Sequence, residues 1–325
     1  MACARRIALL LALLPACGGE TISLGEGRPR TRDGGGGAVP ADADTQADDA
    51  PDEPEPEPAE DAGTERDGGD VRFAAPMPIA ELVAPDAADD DPSLTSDLTL
   101  LYFNSKRDGG AGREDVWYTT RASTREAWSA PVPATELNTD ARETGIALSA
   151  DGLTLWFSSD RPGGEGGLDV YVARRARRAD AFTDLVRVDA LSTAGDDLIS
   201  AISGDQRTAY LARRDNEDDD YDLYMAERRD AQAAFDEPVA IAALNGDGEE
   251  SDASPAEGGR SLLFTRDAEL QLAVRDARGA YVVVGPLDAL NSGDNERDAW
   301  ATDDLRYMVF SSNRTGTYLL YEARR

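Results

Sequence analysis

The sequence predicts an all-β fold: a five-bladed β-propeller of four-stranded antiparallel blades, closed by an N-terminal strand, with six blades as the alternative count. Three observations carry this. An aromatic residue recurs at Phe73, Trp128, Phe182, Phe235 and Tyr281. A leucine stands nine residues after each, at Leu82, Leu137, Leu191, Leu244 and Leu290, and a second apolar anchor follows at Phe103, Phe157, Leu211, Phe264 and Phe310. Within each copy, alternating apolar runs of strand length are separated by turn residues. The two chain ends supply complementary pieces: the last copy stops on its third strand at Arg325, and a spare strand, roughly Val71 to Leu82, precedes the first copy.

Copy two shows the elements in order. GIALSA is an inner strand, and Asp151-Gly152 follows as a hairpin turn in which both positions are expected at positive φ. LTLWFSS is the second strand. A loop containing PGGEGG leads to DVYVARR, the third, and FTDLVRVDAL past an arginine-rich loop is the fourth. Spacing inside a copy is nearly constant while the distance between copies varies, as fixed cores joined by variable loops require. If the N-terminal strand completes the last blade, no blade keeps an orphan edge.

The pattern SxDGxTLxFSSxRxGGxGGxDVY, which copies one and two follow most closely, resembles the TolB-like, WD-like propeller repeat of bacterial periplasmic and surface proteins. Copy three follows it loosely, and copies four and five keep the strands without the glycine loop. The resemblance covers about residues 71–325 and implies a protein-binding head more than a reaction. TolB carries a further N-terminal domain, whereas low-complexity sequence precedes the repeats here.

That sequence divides in two. Residues 1–16 read as a signal peptide, with Arg5 and Arg6 ahead of the apolar run Ile7 to Leu14, far short of the roughly 20 residues a membrane-spanning helix needs. Leu14-Pro15-Ala16-Cys17 resembles a lipoprotein cleavage site, which makes Cys17 the expected lipidated residue; several acyl chains would anchor it stably. With Cys17 the only cysteine left after cleavage, no intrachain disulfide can form. Residues 17–70 are rich in Gly, Pro, Asp and Glu and read as a disordered acidic tether, spanning on the order of 40 Å as a flexible coil. The expected location is the cell envelope, with the outer membrane favoured by Gly18 after the cysteine and the membrane contacted through the lipid alone.

Composition narrows function. The 64 acids against 33 bases, a formal net charge of −31, make nucleic acid a poor partner. No histidine is present, so imidazole bases, Ser-His-Asp triads and histidine metal sites are excluded. A hydrolase would have to use carboxylates.

Charges recur in register with the strands. Asp89, Glu143, Asp197, Glu250 and Glu296 occupy one position in the five copies; Arg107, Arg161 and Arg314 follow the second strand in three, and Asp115, Asp169, Asp222 and Glu269 begin the third in four. All are expected on one face. A group repeated in every blade suits a brace of the fold better than a site for one asymmetric ligand, so these charges read as structural. Function is then expected where the copies differ. Trp300 stands where the other copies have Ser93, Ala147, Ala201 and Ser254, and is expected to line or plug the channel. Asp218, Asp219 and Asp220 in copy three, and Asp247 and Glu249 in the link to copy four, make acidic loops that read first as solvated turns. Ca²⁺ is the one cofactor their oxygens could take, without EF-hand spacing. On the opposite face, Arg174 to Arg178 and Arg228-Arg229 read as solvated turns.

The expected function is a non-enzymatic, lipid-anchored binding or scaffolding head, monomeric, that docks an envelope protein or polymer through its acidic face. The alternative is a carboxylate-dependent glycosidase or carbohydrate-binding propeller. The enzyme would need two carboxyls at a defined separation and aromatic sugar platforms, for which Trp300 alone is available.

Overall fold

The computed structural model describes residues 72–84 and 87–325; the expected signal peptide, Cys17 and the expected tether lie outside them. The fold is the expected five-bladed propeller, and six blades are ruled out by five separate four-stranded sheets. Blade 1 is β2 (Asp89–Leu94), β3 (Leu100–Ser105), β4 (Asp115–Thr120) and β5 (Val132–Pro133). Blade 2 is β6 (Glu143–Leu148), β7 (Thr154–Ser159), β8 (Asp169–Arg174) and β9 (Thr183–Arg187). Blade 3 runs β10 (Asp196–Ile202), β11 (Thr208–Arg214), β12 (Asp222–Glu227) and β13 (Val239–Ala240); blade 4 runs β14 (Glu250–Ala256), β15 (Ser261–Arg266), β16 (Glu269–Arg275) and β17 (Tyr281–Pro286). Blade 5 takes β18 (Glu296–Ala301), β19 (Tyr307–Ser312) and β20 (Leu319–Arg324) from the C-terminus and β1 (Met77–Pro78) from the N-terminus.

That last pairing closes the ring. β1 is only two residues long, but Ala74 N–H donates to Arg324 O at 2.8 Å and Ile79 N–H to Leu320 O at 2.9 Å, so the junction extends beyond the strand. The edge that β20 would otherwise present is thereby covered.

The repeat anchors form the core between blades. Phe103, Phe157, Leu211, Phe264 and Phe310 all have 0% exposure, and the leucines that follow each aromatic are exposed by no more than 2%. Second strands such as β7 are buried along their whole length because both faces of a blade pack on neighbours, which explains continuous apolar runs where a half-exposed sheet would alternate.

The Asp151-Gly152 turn differs from its expected form. Only Gly152 takes positive φ (73°), and Ser149 N–H donates to Thr154 O at 2.9 Å to close a longer loop. Side chains select this form: Ser149 Oγ donates to Asp151 Oδ1 at 2.6 Å, and Asp151 Oδ1 accepts Leu153 N–H at 2.9 Å. This short polar network ties the loop to its own backbone and removes the need for a second left-handed residue.

The opposite-face arginines are not simply solvated. An arginine at or just past the end of the third strand packs its guanidinium on the aromatic that opens the fourth: Arg121 over Trp128 at 4.1 Å, Arg175 over Phe182 at 4.3 Å, Arg228 over Phe235 at 4.3 Å and Arg275 over Tyr281 at 4.2 Å. The same arginines cap the first hairpin, as when Arg175 Nε donates to Gly152 O at 2.8 Å. Arg177, by contrast, stays exposed beside Asp180.

Candidate functional site

The repeated acids and arginines resolve into two devices. Each inner acid is buried and paired with an arginine of its own blade: Asp89 with Arg107 (2.7 Å), Glu143 with Arg161 (3.0 Å), Asp197 with Arg213, Glu250 with Arg266 (2.7 Å) and Glu296 with Arg314 (3.0 Å). Five blades, not three, carry the arginine. In copies three and four it sits two residues earlier, on the strand itself, where the other copies have Ser105, Ser159 and Ser312. Four of these arginines also donate to the repeated leucine carbonyls, for example Arg161 Nη2 to Leu137 O at 2.7 Å.

The third-strand acids do not join that pairing. Asp115 accepts the backbone N–H groups of Ala111 and Gly112, and Asp169 accepts Glu165 N–H at 3.0 Å, so each carboxylate holds its own glycine loop. Here the glycines are required: a Cβ on Gly110 would lie 2.1 Å from Asp115 Oδ2, and one on Gly164 would lie 1.8 Å from Asp169 Oδ2. Asp222 and Glu269 follow hairpins without glycine, and their carboxylates have no such loop to hold.

The site lies further in, at a position repetition had hidden. Two residues after each braced acid the inner strand bulges, shifting register between Asp90 and Ser93, Thr144 and Ala147, Ile199 and Ala201, Ser251 and Ser254, and Arg297 and Trp300. The residue two after the braced acid is Asp91, Gly145, Ile199, Asp252 or Asp298; in blade 3 Ile199 stays paired with Leu211 and Ser200 is the unpaired residue. Asp91 (φ 51°), Asp252 (59°) and Asp298 (56°) adopt the same left-handed backbone as Gly145 (61°). Aspartate tolerates that conformation better than most residues but still at a cost, so its use in three blades is a mark of a site.

The three aspartates meet on the axis, each contributing a ligand-capable oxygen within 4.8 Å of the others. Asp91 Oδ2 accepts Gly145 N–H at 2.7 Å and Thr144 Oγ1–H at 2.8 Å. With its amide turned so that the nitrogen faces the surrounding acceptors, Asn104 adds a third donor at 3.0 Å. Asp252 Oδ2 accepts Ser251 Oγ–H at 2.8 Å. Asp298 Oδ2 is buried with no hydrogen-bond donor; its one cationic neighbour is Arg297 Nε at 3.4 Å. Arg297 is committed elsewhere, to Asp90 at 2.8 Å and to the Tyr318 ring at 4.0 Å.

The electrostatics follow from this crowding. Burial, reinforced by the Asp252 and Asp91 charges, pushes the Asp298 carboxyl well above the usual range, and Arg297 only partly opposes it. Burial and the charges of Asp252 and Asp90 push Asp91 up to about 6 against the donors from Gly145 and Thr144. Glu249 is also raised, by burial and then by Asp252 and Asp220.

Above the aspartates opens a cavity of about 680 Å³. Its wall holds nine acids against three arginines, and those arginines are engaged by Glu114, Asp196 and Asp90. Of the loop acids singled out by sequence, Asp220, Asp247 and Glu249 line this mouth, while Asp218 and Asp219 lie in the same loop outside it. Below the aspartates, Trp300 borders a constriction of only about 20 Å³ shared with all three. Trp300 also lines the opposite opening with Ser93, Ala147, Ala201 and Ser254, so its indole stands between the two ends of the channel.

Sequence reasoning passed over Asp91, Asp298, Arg297 and Arg266. A signal was present: the position two after the braced acid reads Asp, Gly, Ile, Asp, Asp through the copies, which is a departure between repeats of the kind Trp300 displayed.

No family model matches the sequence, and no curated protein matches it. Among solved structures, the chain is similar to an α-L-arabinofuranosidase of Podospora anserina solved with cellotriose, at 11% identity and TM-score 0.50, over 78% of this chain and 96% of that one. It is also similar to a putative TolB from Agrobacterium tumefaciens, at 13% identity and TM-score 0.47 over 74% and 78% of the two chains. A thermostable family-43 glycoside hydrolase matches at 12% identity and TM-score 0.49, over 74% and 90%. At these identities the likeness is one of fold.

Proposed function

We propose that the propeller is a non-enzymatic binding head of the cell envelope, held to the membrane through Cys17, that receives a cationic segment of an envelope protein or polymer at its acidic axial mouth. The carrying observation is the wall of that mouth: its nine acids outnumber its three arginines, and each of those arginines lies within ion-pair distance of an acid, which gives the mouth a negative potential. Loop acids on a rigid ring suit recognition, because the loops can vary while the blades hold them in place.

Capture from intact cells tests this. The tagged full chain should retain a crosslinked partner that the variant Asp220→Ser, Asp247→Ser, Glu249→Ser loses, and the capture should weaken as salt rises. Retention of the same partner by the variant at wild-type yield would remove the acidic mouth from the binding surface.

A second reading, a glycosidase, draws support from one observation: burial and the adjacent Asp252 and Asp91 raise the proton affinity of the Asp298 carboxyl, the direction a general acid requires. Against it, the clustered oxygens lie within 4.8 Å, tighter than the roughly 5–9.5 Å between carboxyls that glycoside hydrolysis uses. Trp300 lies below the carboxylates, away from the mouth that would take a sugar. Hydrolysis of aryl glycosides that disappears in Asp298→Asn would establish the enzyme reading.

A further inference from the structure

We propose that Asp91, Asp252 and Asp298 form a site for one hard divalent cation of Ca²⁺ size on the propeller axis, and that this cation ties blades 4, 5 and 1 together across the seam where the ring closes. The proposal stands apart from the reading of the mouth as a docking surface.

Three acids brought close are not enough for a site, and a further observation points to a ligand: Asp298 itself. Its side chain is 7% exposed, and Oδ2 receives no donor although Asp91 and Asp252 each receive at least one. Buried polar atoms of this kind almost always have partners.

The geometry suits the ion. Ca²⁺ takes oxygens at about 2.3–2.6 Å, so two ligands on one ion can lie up to about 5 Å apart, and the observed spread falls within that limit. Mg²⁺, at about 2.0–2.1 Å, would need a tighter cluster. The protein donors to Asp91 and Asp252 are taken by Oδ2 in both cases, which leaves Oδ1 of each to bind. Backbone conformation points the same way: in three blades the bulge holds an aspartate at left-handed φ where Gly145 makes the identical turn without a side chain. Three mutually repelling carboxylates, two of them raised in proton affinity by their crowding, are a cost to the fold that a divalent ion would offset. Asp252 comes from β14, Asp298 from β18 and Asp91 from β2, in blades that lie side by side around the ring, and blade 5 contains the junction with β1.

The test uses the full-length chain stripped with chelator and dialysed into 150 mM salt. Calorimetric titration with CaCl₂ should show one saturable site, and the melting temperature should climb with Ca²⁺ beyond saturation as mass action requires. Mg²⁺ should bind at least tenfold more weakly. Asp298→Asn and Asp252→Gly, the latter copying the residue blade 2 already uses, should each weaken Ca²⁺ by tenfold or more with the β spectrum unchanged. The mouth variant Asp220→Ser, Asp247→Ser should keep the site. Absence of a stoichiometric site in the wild type, or a site unaffected by both axial variants or abolished by the mouth variant, would overturn the proposal.

Discussion

Gly145 donates its backbone N–H to Asp91 Oδ2 at 2.7 Å, and the two residues occupy the same bulge in adjacent blades, one with a side chain and one without. The bulge therefore does two jobs. As glycine it turns the inner strand and presents a donor to the axis; as aspartate it makes the same turn and presents a charge.

The stability of the chelator-treated protein should rise as pH falls from 7.5 to 5. Asp91 is raised from the ordinary 3.8 to about 6 and Asp298 is also raised, so the folded state binds protons that the unfolded state does not in that interval. A raised carboxyl penalises the fold above its folded pKa and ceases to do so as it is protonated. Carboxyls lowered by their partners, such as Asp205 and Asp304, act the other way but only below about pH 4. Thermal melts at half-unit pH steps check this; a melting temperature that stays flat or falls between 7.5 and 5 contradicts it.

Arg161→Met should cost about 3–5 kcal/mol, because Glu143 is left charged at 0% exposure with its cation gone. The double variant Arg161→Met, Glu143→Gln should regain a substantial part of that loss. Denaturant melts of the three proteins measure the coupling, and a double variant no more stable than the single one would argue against the pair as a brace.

Asp169→Ala and Gly164→Ala should each destabilise by about 1–3 kcal/mol, and together by less than their sum. The carboxylate and the glycine serve one contact: Asp169 reaches the Glu165 N–H only because no Cβ stands at 164. Additive losses would mean that the loop does not depend on this approach.

Truncation of residues 72–84 should open the ring. It removes the bonds from Ala74 and Ile79 to β20 together with the buried side chains of Phe73, Ile79 and Leu82, and leaves the backbone of β20 exposed as an edge. The expected result is aggregation on concentration, checked by light scattering against the full chain.

Much of the architecture was legible in the chain alone. Fixed offsets from Phe73, Trp128, Phe182, Phe235 and Tyr281 set the number of blades, since each copy can bury its anchors only against the next. The spare N-terminal strand and the missing C-terminal one implied the closure, because an uncovered edge is costly. The braced acids were visible for the same reason: a contact needed in every blade leaves a periodic trace.

What lies on the axis was decided by tertiary structure. Asp91, Asp252 and Asp298 are separated by up to 207 residues and are neighbours only because five inner strands converge on one line. Their aim depends on a bulge that turns a single residue to positive φ, and no local pattern distinguishes an aspartate in that bulge from one in an exposed turn. Arg213 and Arg266 were displaced by two residues from the motif yet reach the same acids, because strand register, rather than offset along the chain, determines which side chains meet. Repetition in sequence records what every blade must do for the fold; the singular chemistry arises where unlike blades meet, and only their packing brings those residues together.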